Sequence, residues 1–297
     1  MPLAFYDLPA PAKLNLFLHV VGRRDDGLHL LQSVFSLIDW SDTLHVERRA
    51  DGQLRRHDLG APLPQDDLCL RAAKALQTQS GCAWGADISI DKRVPWGAGL
   101  GGGSSDAGTT LLALNRLWAL QWPRAKLLAL GATLGADVPF FIGGRNAFVE
   151  GVGERLTPLP LPSQHYVVVK PAAGLATRDI FGSPDLKRDS EAVILAGFIE
   201  STQLPRLSCS AEAFGRNDLQ PVAQDKCPDV LAAARWLEGR YGNSRMTGSG
   251  SAVFARVGND VQPEDDLAKS TAHPVSADWV VRKCRSLDHH PLVGWAD

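Results

Sequence analysis

Between Val94 and Thr110 the chain reads Val-Pro-Trp-Gly-Ala-Gly-Leu-Gly-Gly-Gly-Ser-Ser-Asp-Ala-Gly-Thr-Thr. Gly97, Gly99, Gly101, Gly102 and Gly103 give a nearly bare backbone, and Ser104, Ser105 and Asp106 follow at once. Glycine reaches backbone conformations closed to other residues and lets a ligand approach the main chain. Ala86 to Val94 alternates apolar and polar residues as a strand does, and Leu111 to Trp118 reads as a helix that Ser104, Ser105 or Asp106 can cap. A strand, a glycine loop and a helix start aim backbone N–H groups and the positive end of the helix dipole at one place. That is a cradle for phosphate, with Ser104 and Ser105 as hydroxyl donors.

Several phosphate loops are excluded by what is missing. Gly97, Gly99 and Gly102 satisfy G-x-G-x-x-G, but no Asp or Glu lies between Asp106 and Asp137 to hold a ribose, which counts against a dehydrogenase. No Gly-Lys pair exists for a Walker A loop, and the His-Arg-Asp and Asp-Phe-Gly signatures of protein kinases are absent. Other residues offer chemistry with a plain structural alternative beside it. Lys13 stands with Asn15 on the polar side of an apolar strand; it can neutralise a transferring phosphoryl group or simply face solvent. Asp137, in the apolar run Leu134 to Ile142, is either a helix N-cap or a general base paired with a lysine. His29 reads a base edge or is a half-buried histidine. Gly248-Ser-Gly-Ser251 closes over a ligand or makes a tight turn.

The elements around these residues are mixed. The spacing predicts strands over 12–21, 43–48, 86–94 and 166–170, and helices over 68–78 (capped by Asp66 or Asp67), 125–134 (closed by Gly135) and 231–238. Residues 28–40 are ambiguous between helix and strand, and 51–65 reads as loop with short strand pieces. Strands and helices do not strictly alternate, so the fold class is α+β. Pro158, Pro160 and Pro162 mark a soft boundary between domains of residues 1–160 and 161–297.

With 297 residues and a net charge of -2, the chain has no basic footprint for nucleic acid. Its five cysteines (Cys69, Cys82, Cys209, Cys227 and Cys284) are unpatterned, which points to reduced thiols and a cytoplasmic protein, and no apolar run predicts a membrane span. The expected partner is a small-molecule substrate, and the expected assembly a monomer or weak homodimer.

Spaced blocks over nearly the whole chain resemble the GHMP kinases: Pro11-Ala-Lys-Leu-Asn-Leu16, Gly27-Leu-His-Leu30, Val94 to Asp106, Leu134-Gly-Ala-Asp-Val-Pro139, Glu150-Gly-Val-Gly-Glu154, Arg216-Asn-Asp-Leu219 and Met246-Thr-Gly-Ser-Gly250. The resemblance implies an N-terminal domain like the second domain of ribosomal protein S5 and a ferredoxin-like C-terminal domain. It implies ATP and Mg²⁺ as cofactors, and phosphorylation of the 2-hydroxyl of a cytidine-diphosphate methylerythritol in isoprenoid precursor biosynthesis. Other members act on small alcohols such as homoserine or mevalonate derivatives, and a non-catalytic nucleotide-binding relative is the further alternative. By this resemblance Asp137 is the base and Lys13 its partner. Pro95, Trp96, Gly97, Ala98, Gly99, Leu100, Gly101, Gly102, Gly103, Ser104 and Ser105 wrap the ATP phosphates. Asn15, Leu28, His29, Asp137, Thr177 and Phe181 meet the acceptor, with His29 and Phe181 on cytosine. The chain departs from the family pattern with Leu28 in place of Tyr, Asp67 in place of Asn near the adenine, and Trp96 and Ala98 in the loop.

Overall fold

The computed structural model describes residues 2–60, 62–65, 67–196, 198, 215–262 and 278–297. Two long strands form its spine. β1 (Ala4–Arg23) and β2 (His29–Arg49) pair antiparallel along their length. Residues 28–40, ambiguous in sequence, are therefore strand from His29 on. β2 also pairs with β4 (Gly85–Asp91) and β5 (Ala147–Gly151), and Val34 to Ile38 is buried without alternation because both faces are covered: Phe35 and Leu37 pack on Phe140 and Phe141, Val34 on Leu159 and Phe198, and Ile38 on the second sheet. β3 (Leu54–Asp58) and β6 (Arg155–Pro158) complete a six-stranded sheet. A second, four-stranded sheet has the order β10-β7-β9-β8, with β7 (His165–Lys170), β8 (Arg245–Met246), β9 (Val253–Val257) and β10 (Val280–Arg285). The only parallel pair among the described strands is β3 with β4, joined through α1 (Leu68–Ser80), so the class is α+β.

Helices cover each sheet. α1 and α2 (Gly102–Leu117) bury Leu76, Leu111 and Leu114 against Leu44, Val46 and Ile88, and α3 (Arg124–Ala132) adds Leu127 and Leu130. α4 (Val138–Gly143) buries Phe140 and Phe141 beside Phe35. After α5 (Thr177–Phe181), α6 (Gln220–Lys226) and α7 (Pro228–Tyr241) set Val222, Val230 and Leu237 against Val167 and Val253. The chain past β10 leaves the second sheet: Leu292 and Ala296 enter the first core, and Trp295 packs on Phe5 at 4.8 Å.

Helix boundaries differ from the sequence reading at several ends: α1 runs on to Ser80, α7 spans Pro228–Tyr241 rather than 231–238, and two further differences change the caps. α2 starts at Gly102 with Gly101 as a left-handed cap, and no side chain caps it, so Ser104, Ser105 and Asp106 lie inside its first turns. α3 stops at Ala132 with Thr133 as its cap, short of Gly135. Asp67 does cap α1, accepting from Leu70 N at 2.9 Å; Asp66 lies outside the described residues. Four cysteines (Cys69, Cys82, Cys227 and Cys284) are free, and Cys209 lies outside the described residues.

A third core joins the two sheets. Ala12, Leu14, Ile38 and Trp40 of the first meet Tyr166, Val168, Phe254 and Cys284 of the second, and Ala98 and Leu100 of the glycine loop sit among them. The loop thus alternates: Ala98 and Leu100 anchor it, while Gly97, Gly99 and Gly101 stay open to ligand. Gly99 has a φ of +72°, and a Cβ there would lie 2.1 Å from the Thr247 carbonyl oxygen. At Gly97, φ is +59° and nothing lies within 4 Å of a Cβ. A left-handed conformation alone costs an L-residue about 1–2 kcal/mol. Gly97→Ala should therefore lose about that amount of unfolding free energy, and Gly99→Ala clearly more, by denaturant titration; equal losses would refute the close packing of the loop on Thr247.

Candidate functional site

Lys13 and Asn15 lie on one face of β1, two residues apart. Register shifts between Pro11 and Lys13 and between Asn15 and Leu18 bracket them, which is how bulges re-aim side chains in a sheet. Lys13 is buried, with its side chain 4% exposed. Its Nζ donates to Asn15 Oδ1, stands 3.5 Å from Asp137 Oδ2, and lies 4.5 Å from the centre of the Phe35 ring. Burial pushes the ammonium below the ordinary lysine value, and the Asp137 charge pulls the other way. Asp137 does occupy the N-cap position of α4, but its side chain makes no capping hydrogen bond and is instead the partner of Lys13. It remains 30% exposed, open to a ligand.

Asn15 is fixed from three sides. Its N–H donates to Thr247 Oγ1 at 2.9 Å, its Nδ2 donates to Ser33 Oγ at 2.9 Å, and its Oδ1 receives Lys13. Thr247, fully buried, also reaches the Gly99 carbonyl at 3.3 Å. The glycine loop is tied down through its carbonyls: Ser251 N to Gly97 O at 3.1 Å, Ala252 N to Ala98 O at 3.1 Å, and Lys13 N to Leu100 O at 2.9 Å. Carbonyl oxygens repel phosphate, so the loop is held by groups that an anion cannot use. The uncapped first turn of α2 keeps its N–H groups available.

The predicted residues converge on one cavity of about 680 Å³. Lys13, Asn15, Leu28, His29, Asp137, Thr177 and Phe181 line it, with Gly97, Gly99, Gly101 and Ser104. Thr177 and Phe181 come from α5, and Thr177 Oγ1 bonds Ser249 Oγ at 2.7 Å, so the Gly248–Gly250 turn is a wall of the same cavity. The His29 and Phe181 rings pack with centroids 5.0 Å apart. Burial, then the Arg188 and Arg23 cations, lower the His29 pKa and favour the neutral ring. Leu28 is half exposed at the rim. A second cavity of about 360 Å³ lies across the loop, lined by Pro95 to Ser104 with Leu63, Pro64, Asp67 and Leu68. Exposed Trp96 stands there. Gly97, Gly99, Gly101 and Ser104 touch both spaces. Ser105 does not join them: it lines neither cavity and is fully buried, its Oγ without a hydrogen-bond partner.

Sequence reasoning passed over several members. Lys92 Nζ donates to Asp42 Oδ2 and, at 2.6 Å, to Asp106 Oδ2, and both Lys92 and Asp106 line the second cavity. Asp42 Oδ1 accepts from Arg93 N and Val94 N, which fixes the entry to the loop. Burial pushes the Asp106 carboxyl up, against the pull of Lys92. Ser33, Asp42 and Lys92 carry no local signal, and Thr247, though part of the Met246–Gly250 block, shows no role there, because their partners are 14 to 232 residues away.

The lowered pKa of Lys13 sets the sign of a pH effect. The unfolded chain holds this proton more tightly than the folded one, so the site favours folding above the ordinary value of 10.5 and loses that contribution as pH falls through the folded value. Measured as unfolding free energy, wild type should gain on Lys13→Met as pH rises from about 7 toward 10. A wild type that loses ground to Lys13→Met over that range would contradict the burial of the charged amine.

Two family models match the chain: GHMP kinases N terminal domain over residues 67–145, and GHMP kinases C terminal over residues 198–279. A 4-diphosphocytidyl-2-C-methyl-D-erythritol kinase of Methylibium petroleiphilum is 60% identical over 99% of this chain and 98% of its own length. One from Variovorax paradoxus is 56% identical over 99% of both. A crystal structure of 4-(cytidine 5'-diphospho)-2C-methyl-D-erythritol kinase superposes with a TM-score of 0.75 at 33% identity, covering 94% of this chain and 98% of that one. A homoserine kinase from Cytophaga hutchinsonii, 16% identical with a TM-score of 0.68 over 98% of this chain and 96% of its own, shares the fold. The chain belongs to the GHMP kinases and, within them, to the family of 4-diphosphocytidyl-2-C-methyl-D-erythritol kinases.

Proposed function

We propose that the protein transfers the γ-phosphoryl group of ATP to the 2-hydroxyl of 4-diphosphocytidyl-2-C-methyl-D-erythritol, giving the 2-phosphate and ADP. One observation carries the reading: a single cavity presents the Lys13–Asp137 pair, the glycine loop, and the His29–Phe181 rings together. Its volume of about 680 Å³ falls in the range of small-molecule sites, roughly 300–1,000 Å³.

Phosphoryl transfer depends on positioning and charge stabilisation more than on covalent chemistry. The N–H groups of the loop and of the start of α2 hold the ATP phosphates, and the Trp96 side of the loop receives the adenosine. Asp137 takes the proton of the acceptor hydroxyl as its oxygen bonds to the γ-phosphorus and the bond to ADP breaks. Lys13, held by Asn15, pairs with the Asp137 carboxylate and faces the negative charge of the transferring group. Phe181 and His29 hold the cytosine, and Thr177 and Asn15 border the alcohol. Leu28 offers apolar contact where an aromatic ring would stack.

Among the described residues no cluster of three or more His, Cys, Asp or Glu forms a metal cage. Mg²⁺ bound with nucleotides keeps waters and takes only one or two protein oxygens, so it does not need a cage. The start of α2 fits that demand, with Ser104 on both cavities and the orphaned Ser105 hydroxyl behind it. Ser104, which faces both cavities, would hold Mg²⁺, which would neutralise phosphate charge.

Among the described residues no helix is long and apolar enough to cross a membrane, and with free thiols this favours the cytoplasm.

The test is ADP release with ATP, Mg²⁺ and the cytidylated alcohol, beside the same alcohol without its cytidine group, homoserine and mevalonate. Turnover with the cytidylated alcohol alone is expected; preference for another acceptor would overturn the assignment. Asp137→Asn should bind ATP normally and lose turnover by about 10²–10⁴-fold, the usual worth of a general base. Turnover within a few-fold of wild type would remove Asp137 from that role.

A further inference from the structure

The two rings proposed to meet the base come from distant parts of the chain, and one side chain joins them. Arg188, half-buried beyond α5, donates from Nη1 to Leu186 O at 2.9 Å, and from Nη2 to Phe181 O at 3.1 Å and Ser183 O at 2.6 Å. Those bonds fix the turn that carries Phe181. Its Nε points to His29 Nε2 at 3.1 Å. A guanidinium has five N–H donors and no acceptor, so the contact requires His29 Nε2 to be unprotonated. In a neutral imidazole the proton is then on Nδ1. The lowered pKa of His29 agrees with a neutral ring.

We infer that Arg188 is a positioning residue for base selection, which ties the Phe181 turn to His29 and fixes that imidazole as a hydrogen-bond donor through Nδ1. A donor needs an acceptor on the ligand. Cytosine presents unprotonated N3 beside O2, two neighbouring acceptors, whereas uracil has N–H at position 3. Uracil keeps carbonyl acceptors at O2 and O4, so the discrimination lies at position 3: a ring free to change tautomer could face that position in either base, whereas an Nδ1–H donor held toward it by Arg188 suits cytosine N3 and opposes the uracil N–H. The inference rests on the proposed function for the identity of the base, but the state of the ring does not. It also bears on Leu28. With no aromatic ring at that position, orientation of the base depends more on Phe181 and His29, and therefore on the side chain that aligns them.

Long-range ¹H–¹⁵N correlation spectra of the histidine rings, with His29→Gln to assign the signal, give the tautomer in the wild-type protein. The expected state at neutral pH is Nδ1–H, and in Arg188→Met the signal should move toward Nε2–H. In kinetics, Arg188→Met should raise KM for the cytidylated alcohol about tenfold, as loss of one well-placed polar contact does. The preference over the uridine analogue should shrink, with kcat and the KM for ATP within about twofold. Arg188→Lys, which cannot span all four acceptors, should fall between the two. An Nε2–H ring in the wild type overturns the inference without any variant and leaves the kinase reading standing. Equal losses in kcat, both KM values and melting temperature in both variants overturn it as well, by making Arg188 a general structural tie. No turnover by wild type with either base would sink the kinase reading and base selection with it, while the spectra still decide whether Arg188 fixes the ring.

Discussion

A lysine ammonium held out of water is the constraint around which this molecule is arranged. Lys13 lies on a strand inside the protein, and burying such a charge is unfavourable unless partners surround it. Asn15 and Asp137 supply them, and the Phe35 ring lies beneath. Each partner needs its own support. Asn15 leans on Ser33 and Thr247, which belong to β2 and to the turn before β9. Asp137 leans on α4, whose two phenylalanines fill the space beneath β2. A Cβ at Gly101, where φ is +72°, would crowd the Phe141 ring at 3.0 Å and the Lys13 stem at 3.2 Å, and Lys13 N donates to Leu100 O beside it. The lysine thus fixes the position of the loop as well as of the acid.

The glycine loop solves a second problem, that of a backbone that must stay rigid while its N–H groups remain free. Alternation does this. Ala98 and Leu100 enter the core between the sheets, and the carbonyls of Gly97, Ala98 and Leu100 receive hydrogen bonds from Ser251, Ala252 and Lys13. What faces the cavities is glycine and the uncapped start of a helix, which suits an anion. The Lys92, Asp42 and Asp106 cluster stiffens the same region.

Much of this was legible in the sequence, and the failures have definite causes. β1 declared itself by alternation because one of its faces is apolar throughout. β2 did not, because both of its faces are covered. The loop was legible because five glycines in so short a span have no use in a core. The helix start was misplaced because Ser104, Ser105 and Asp106 are good caps in isolation, whereas the fold leaves that end uncapped beside the cavities. For Asp137, sequence left open a cap and a base; geometry gives it the cap position without the cap bond, and a lysine partner instead. Ser33 and Arg188 were invisible, and Thr247 stood in the Met246–Gly250 block without a role, because a residue that orients another has no pattern of its own until the chain has folded.

The most direct measurement is a crystal structure with a non-hydrolysable ATP analogue, Mg²⁺ and 4-diphosphocytidyl-2-C-methyl-D-erythritol bound together. The account predicts the 2-hydroxyl oxygen within hydrogen-bond reach of Asp137, about 2.6–3.2 Å, the terminal phosphate at the glycine loop beside Lys13, and cytosine against Phe181 and His29. A complex with the alcohol bound and its 2-hydroxyl beyond the reach of Asp137 would contradict it.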